Sequence, residues 1–161
     1  MEAMEPPTVS ASNGTFLGRD VKAVSAKPCG GVRTASGSSW QTTATSLNGV
    51  DHAVALTCSL FVDGTGEIEF PLNQQYDRLE VDIGLADSTL ATPDQVVFDF
   101  IGDARFVLIE PTAVTLGEVV PISVDVSSVT RLTLRVTGQG AGGSNESPMI
   151  PAWASPRLLP G

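Results

Sequence analysis

The stretch Arg78-Leu79-Glu80-Val81-Asp82-Ile83-Gly84-Leu85 alternates charged or small residues with large apolar ones along its whole length. Apolar residues at every second position lie on one face of a β-strand, so this run predicts a strand with one buried and one solvated face. The same alternation recurs in Glu67-Ile68-Glu69-Phe70 and over residues 96–100, 122–126 and 132–136. The chain is therefore predicted to consist mainly of half-buried strands.

Turn-forming residues separate these runs. Asp63-Gly64, Gly102-Asp103 and Leu116-Gly117 lie between them, and Asn48-Gly49 predicts a tight turn because both residues tolerate positive φ. Turn signals about ten residues apart favour a β-sandwich or barrel over βαβ units. No segment has helical periodicity, and we predict an all-β fold, a two-sheet antiparallel β-sandwich.

The pattern also predicts how the chain is divided. Residues 1–14 contain Pro6-Pro7 and lack periodicity, so we interpret them as a flexible N-terminal tail or linker, with one β-sandwich domain over residues 15–161. Residues 26–45 are rich in Gly, Ser and Thr and are predicted to form a long loop. Residues 153–159 are predicted to form a last strand.

Composition excludes several classes of function. The chain has 161 residues, of which 42% are hydrophobic and 17% charged, with a net charge of −9. That apolar fraction excludes a disordered chain, and nine scattered basic residues argue against nucleic acid and against an anionic membrane surface. No apolar run approaches the roughly 18 residues of a membrane helix, so we expect no membrane insertion.

The first residues are acidic and Pro-rich, unlike a signal peptide. Either a leader has been removed or export follows another route, and the expected location is extracellular or on a cell or particle surface. Cys29 and Cys58 are too far apart in sequence for a metal pair and lack His partners. A disulfide that ties the N-terminal segment to an early strand is the favoured interpretation, and two free thiols are the alternative.

Motifs for catalysis are missing. His52 is the only histidine, which excludes a multi-His metal centre, and nothing marks one serine as the partner of a Ser–His–Asp triad. Residues 138–143 satisfy Gly-x-Gly-x-x-Gly, but Pro148 and Pro151 follow, so no helix can begin there to hold a phosphate. We therefore predict that the protein is not an enzyme.

A series of segments, taken in order, resembles the NPCBM family of carbohydrate-binding modules (NEW2 type), which is related to the family 51 carbohydrate-binding modules. The resemblance covers about residues 15–160 and rests on these segments: residues 46–49, 67–72, 76–79, 81–87, 97–103, 124–129, 132–137 and 153–158, with His52 leading a strand. It implies a galactose-binding-like, jelly-roll β-sandwich that binds sugar without catalysis through loops at one end. The family often has a second His near the position of Thr57, and this chain departs from the pattern there.

Four residues are candidates for carbohydrate contact. Trp40, in the Gly/Ser-rich segment, is suited to stacking on a sugar ring, or alternatively to covering the core. Trp153 matches the terminal Trp of the family, with core packing as the alternative. His52 and Asp87 match family positions and are suited to sugar hydroxyls, with structural hydrogen bonding and loop capping as the alternatives.

The predicted function is a non-catalytic carbohydrate-binding module that attaches a surface or secreted protein to glycans. The alternative is a structural or protein-binding domain of a larger assembly, such as a cell-surface or phage-particle decoration, that keeps the fold without a working sugar site. Structural calcium occurs in such folds and is the one cofactor suggested, although no loop is densely acidic.

Overall fold

A computed structural model describes residues 15–31, 34–89, 94–140 and 148–160. The predicted tail, residues 1–14, lies outside this part of the chain. All regular structure in the described segments is β-strand. These segments contain no helix that is long and apolar enough to cross a membrane.

Fourteen strands are present in the described residues. In chain order they are β1 (Thr15–Phe16), β2 (Ser25–Lys27), β3 (Cys29–Gly31), β4 (Thr34–Ser38), β5 (Gln41–Leu47), β6 (Val50–Thr57), β7 (Thr65–Pro71), β8 (Tyr76–Leu85), β9 (Gln95–Gly102), β10 (Phe106–Val107), β11 (Thr112–Thr115), β12 (Val119–Asp125), β13 (Arg131–Gln139) and β14 (Pro151–Pro160).

The strands form two antiparallel sheets and one small ribbon. The first sheet has the order β12-β8-β14-β6-β5, with β1 also paired to β14. The second sheet has the order β10-β9-β13-β7-β2, with β11 also paired to β9. Strands β3 and β4 pair with each other as a separate ribbon. The all-β, two-sheet antiparallel sandwich is therefore confirmed.

The core lies between the two sheets and follows the sequence alternation closely. Leu79, Val81 and Ile83 of β8 are buried, as are Phe98 and Phe100 of β9. The alternation in β7 and β13 is confirmed in the same way, with every second residue buried. Burial of this apolar surface is the main favourable term in the folding of such a domain.

Trp153 of β14 is at the centre of this core. Its side chain is fully buried, and its ring meets those of Phe98 and Phe100 edge-on at centroid distances of 4.9 and 5.1 Å. Edge-to-face contacts of this kind add to the stabilisation from buried area. The last predicted strand, residues 153–159, is confirmed as part of β14.

The prediction of a long loop over residues 26–45 was wrong. That segment contains most of β2, the β3–β4 ribbon and the first five residues of β5. Gly, Ser and Thr together suggested a loop, but threonines such as Thr42, Thr43 and Thr45 are β-branched, and β-branched residues favour strands. In this segment β2 pairs with β7 and β5 pairs with β6, and these hydrogen-bonded partners stabilise strands that the local composition does not indicate.

The disulfide between Cys29 and Cys58 is present and joins the β3–β4 ribbon to the end of β6. Both cysteines are buried, and Cys29 packs directly on the backbone of Gly66 in β7. A Cβ at residue 66 would overlap the Sγ of Cys29, so only glycine allows this approach. The ribbon is thus fixed to both sheets around one covalent bond.

Candidate functional site

The hairpin formed by β5 and β6, which we call the folded hairpin, bends sharply in its middle. Thr43 pairs with Ala55, but the next pair is Thr45 with His52, so one residue of β5 lies opposite two of β6. Such a bulge bends a strand and increases its twist. The tip of the hairpin, residues 45–52, therefore leaves the path that the rest of the sheet follows.

The tip lies across the outer face of the first sheet. Leu47 is fully buried there and packs with Ala55, Ala152 and Ala154 in a small cluster separate from the main core. Gly84 of β8 also lies beneath it, because a Cβ at that position would be 3.4 Å from Leu47 and 2.9 Å from the carbonyl oxygen of Glu118. Small residues on this face make room for the leucine.

This packing buries both faces of the second half of β6, unlike the half-buried strands that the sequence predicts elsewhere. Val54, Ala55, Leu56 and Thr57 are all buried, although alternate residues point to opposite sides of the sheet. Leu56 belongs to the main core, whereas Ala55 is covered by the tip of the folded hairpin. A buried outer face cannot be predicted from period-2 alternation when the hairpin folds back over its own strand.

Asp87 holds the turn at the end of the folded hairpin. Its carboxylate accepts hydrogen bonds from the backbone N–H groups of Asn48 at 2.6 Å and Gly49 at 2.8 Å. Its own N–H donates to the carbonyl oxygen of Ser46 at 2.9 Å. The predicted turn at Asn48-Gly49 is confirmed, with both residues at positive φ. These contacts agree with the loop-capping interpretation of Asp87.

His52 ties the other side of the tip to β14. Its Nδ1 lies 2.8 Å from the Oγ of Ser155, which has a φ of +50° where the register of β14 with β8 shifts. The pair is not part of a catalytic triad within the described residues, because no carboxylate there contacts the imidazole. The carboxylate of Asp51 instead accepts a hydrogen bond from the hydroxyl of Ser46.

Both tryptophans pack in or against the core. Trp40, between β4 and β5, is half-buried, packs against the core and donates its Nε1–H to the carbonyl oxygen of Lys27 at 3.1 Å. Trp153 is fully buried. These positions agree with the covering and core-packing alternatives for Trp40 and Trp153, and sugar contact by Trp40 stays a prediction.

One concavity, which we call the polar pocket, lies beside the folded hairpin where β5 and β14 begin and where β6 and β8 end. Its volume is about 260 Å³, and none of its lining side chains is charged. Trp40 and Asp87 each stand next in sequence to two lining residues. Most of the lining residues carry a hydroxyl or amide group, and the complete lining is Ser39, Gln41, Thr43, Ala44, Thr45, Thr57, Cys58, Ser59, Ala86, Ser88 and Ile150.

A second and larger concavity, which we call the hairpin cleft, lies on the other side of the tip. It forms where β14 stops pairing with β6 and pairs with β1 instead, so the folded hairpin and β1 diverge. Its volume is about 580 Å³. The lining combines apolar and charged groups and consists of Phe16, Arg19, Ala44, Thr45, Ser46, Asp51, His52, Ala53, Val54 and Ser155.

Arg19 contributes a paired cation to the hairpin cleft. Its guanidinium lies 2.8 Å from the carboxylate of Asp20 and 4.7 Å from the ring centroid of Phe16. The hydrogen bond from Arg19, together with one from the N–H of Phe16, holds the pKa of the Asp20 carboxyl below its ordinary value. The Arg19 charge is therefore already balanced in part by its neighbour.

The four predicted residues are thus not brought together in one site. His52 lines the hairpin cleft, Asp87 and Trp40 flank the polar pocket, and Trp153 is in the core. Sequence reasoning missed the hydroxyl and amide groups of the polar pocket. No local signal distinguishes Gln41 or Thr57 from other polar strand residues, since their proximity depends on the fold.

Calcium, suggested from the sequence, stays a prediction. Over residues 15–31, 34–89, 94–140 and 148–160, no three His, Cys, Asp or Glu side chains come together in a way that could hold a metal ion. Both carboxylate oxygens of Asp87 already accept backbone hydrogen bonds. A calcium ion bound by the described residues would therefore need backbone or amide oxygens, or water, for most of its ligands.

Comparison with known proteins identifies a family. Residues 31–159 match the model of the NPCBM/NEW2 domain. The region of the match contains the folded hairpin and both concavities, apart from the Phe16 and Arg19 side of the hairpin cleft. No curated protein sequence matches the chain.

Solved structures with a similar fold are carbohydrate-binding modules. A Clostridium perfringens ZmpB structure, containing an M60 catalytic domain with two CBM51 domains, matches 88% of this chain at 17% identity and a TM-score of 0.61. The CBM51 of Clostridium perfringens GH95, in complex with methyl-galactose, matches 86% of it at 17% identity and a TM-score of 0.59. The tandem CBM51 modules of Sp3GH98 from Streptococcus pneumoniae match the full chain at 11% identity and a TM-score of 0.65.

This chain corresponds to very different fractions of the three solved structures. The chain spans 15% of the ZmpB structure and 52% of the tandem modules, but 94% of the single GH95 module. At these identities the likeness establishes the fold, and the fold is that of a single CBM51 module.

Proposed function

The chain belongs to the NPCBM/NEW2 domain family, and from this premise we propose that it is a non-catalytic carbohydrate-binding module whose polar pocket holds a neutral saccharide. A carbohydrate-binding role agrees with the family and with the CBM51 neighbours. In this proposal the module attaches a secreted or surface-displayed protein to glycans.

The observation that carries the proposal is the uncharged, hydrogen-bonding lining of the polar pocket. Gln41 and Thr43 of β5 lie opposite Thr57 of β6 and Ser88 of the connection after β8. Hydroxyl and amide groups both donate and accept hydrogen bonds, which matches the hydroxyl groups of a sugar. No lining carboxylate or ammonium is present to select a charged ligand.

The neighbours point to the same class of ligand. The GH95 module was determined in complex with methyl-galactose, and a CBM51 module of ZmpB in complex with GlcNAc, both of them neutral sugars. We expect modest affinity here, because each sugar hydroxyl exchanges a good hydrogen bond to water for one to the protein.

The disulfide supports an extracellular location. Such bonds form and persist in oxidising compartments and are rare in the cytosol. Cys29 and Cys58 also border this site, because Cys58 lines the polar pocket and the β3–β4 ribbon leads into Ser39.

The test is a glycan-array screen, followed by calorimetric titration with methyl-galactoside and with GlcNAc. Thr57→Val keeps the shape of the side chain and removes the hydroxyl from the polar pocket, so sugar binding is expected to fall about fivefold or more. Thr137→Val changes a half-buried threonine on β13 of the second sheet and is the matched control. Equal binding by both variants would place the sugar elsewhere, and a blank array would argue against the proposal.

One observation favours the alternative of a protein-binding domain. Phe106 and Val107 of β10 are 56% and 61% exposed at the edge of the second sheet, an unusual position for large apolar side chains. Phe16, by contrast, is buried and offers no such surface. If the array is blank, Phe106→Ser would be the first variant to compare with wild type in a search for a protein partner.

A further inference from the structure

The hairpin cleft is a cavity that the proposed function does not use. It is separated from the polar pocket by the tip of the folded hairpin, and only Ala44 and Thr45 line both. Its volume of about 580 Å³ is within the usual range of small-molecule sites, whereas the polar pocket is below that range. An inference about this cavity does not rest on the proposed function.

The hairpin cleft contains a carboxylate, that of Asp51, without an ion-pair partner among the described residues. Asp51 is exposed at its rim and accepts a hydrogen bond from the hydroxyl of Ser46. Among the described residues, no Lys, Arg or His forms an ion pair with Asp51, while Arg19 in the same cleft is paired to Asp20. A ligand with one positive charge therefore complements the cleft, and an anion does not.

The remaining lining suits a polyol with one apolar face. Ala53 and Val54 form an apolar wall beside Asp51. His52 uses Nδ1 for Ser155, and no described residue hydrogen-bonds its Nε2. An imidazole nitrogen and a hydroxyl beside an apolar wall offer a sugar ring hydrogen bonds and apolar contact in addition to the ion pair that an alkylammonium alone would make.

We propose that the hairpin cleft is a second binding site, specific for a saccharide that carries a free ammonium group. The ammonium pairs with Asp51, a hydroxyl group of the sugar bonds to His52, and the apolar face of the ring lies against Ala53 and Val54. A lysine side chain has the same charge but needs neither His52 nor Ser155, so the cleft favours the amino sugar.

The experiment compares three small probes on the whole chain by two-dimensional amide NMR. Glucosamine carries the ammonium, GlcNAc is its neutral counterpart, and Nα-acetyl-lysine amide carries an ammonium without a sugar ring. We expect glucosamine to shift the amide signals of residues 51–54 and 155, and to bind there about tenfold or more tightly than GlcNAc. Equal affinity for the two sugars in the cleft, or equal affinity for the lysine derivative, would overturn the proposal.

Variants separate this site from the polar pocket. Asp51→Asn is expected to remove the preference for glucosamine, while Asp77→Asn, an exposed aspartate on β8, leaves it unchanged. Ser46→Ala breaks the hydrogen bond to Asp51 but keeps its charge, so the preference should persist. Loss of the preference in Ser46→Ala as well would assign Asp51 a structural role and overturn the proposal.

Thr57→Val distinguishes failure of this inference from failure of the proposed function. That variant lacks a hydroxyl of the polar pocket and leaves the hairpin cleft intact, so it should keep full affinity for glucosamine at residues 51–54. A glucosamine signal that disappears with Thr57→Val would mean that the amino sugar binds in the polar pocket, which would overturn the second site.

Discussion

The second sheet and the folded hairpin differ in how far their local sequence predicts their burial. In β7 and β13 the residues at alternate positions are the ones buried, and charged residues between them pair on the outer face. Arg135, for example, lies 3.7 Å from Glu67 and 3.4 Å from Asp99. In the folded hairpin, residues 54–57 are buried on both faces, and the cover comes from Leu47 in the same hairpin.

The polar pocket and the hairpin cleft both lie beside the irregular hairpin rather than in the regular part of the sheets. The bend of the hairpin lies where the two candidate sites meet, since Ala44 and Thr45 line both the polar pocket and the hairpin cleft. Binding is therefore expected to depend on the placement of the tip, and stability on the regular core.

The largest effect is expected from the core. Phe100→Ala removes a fully buried ring that contacts Trp153, and it should lower the free energy of unfolding by about 3–5 kcal/mol. Urea denaturation followed by tryptophan fluorescence measures the change. Phe106→Ala, at an exposed phenylalanine, should cost about 0.5 kcal/mol or less. Similar costs for the two variants would contradict the assigned core.

A smaller cost in stability, but a larger cost in binding, is expected at Leu47. Leu47→Ala leaves the alanine cluster on the first sheet uncovered and should cost about 2–3 kcal/mol, at the low end for such a truncation because the site borders the surface. Methyl-galactoside titration should show much weaker binding than for Phe100→Ala under conditions where both variants are folded. If Leu47→Ala keeps full affinity, the tip does not shape the polar pocket.

The smallest effect is expected at Asp87. Asp87→Ala removes two hydrogen bonds to the N–H groups of Asn48 and Gly49, and since the carboxylate is exposed the expected cost is about 1 kcal/mol. Amide hydrogen exchange at residues 48 and 49 should accelerate, while exchange in β13 stays unchanged. Asp77→Ala is the matched control. Equal exchange rates in both variants would argue against the role of the Asp87 carboxylate in holding the turn at Asn48 and Gly49.

The sequence predicted residues beside the polar pocket but not the residues that line it. Trp40 and Asp87 flank the polar pocket, but the side chains that line it are ordinary Ser, Thr and Gln residues. Their types occur throughout the strands of this chain, so only their convergence from β5, β6 and the connections after β8 and before β14 gives them a distinct role.

The sequence by itself determined the all-β class, the alternate burial in β7, β13 and most of β8, and the turn at Asn48-Gly49, and it favoured a disulfide between Cys29 and Cys58 over two free thiols. Each of these depends on local periodicity, on backbone preferences of single residues or on covalent chemistry, which the sequence carries directly. Only the tertiary structure decided that β3, β4 and parts of β2 and β5 form within residues 26–45, that the tip of the folded hairpin crosses the first sheet, and that His52 and Asp87 hold it in place. These features depend on contacts between segments far apart in the chain, and local patterns do not encode which distant segment will cover a given face.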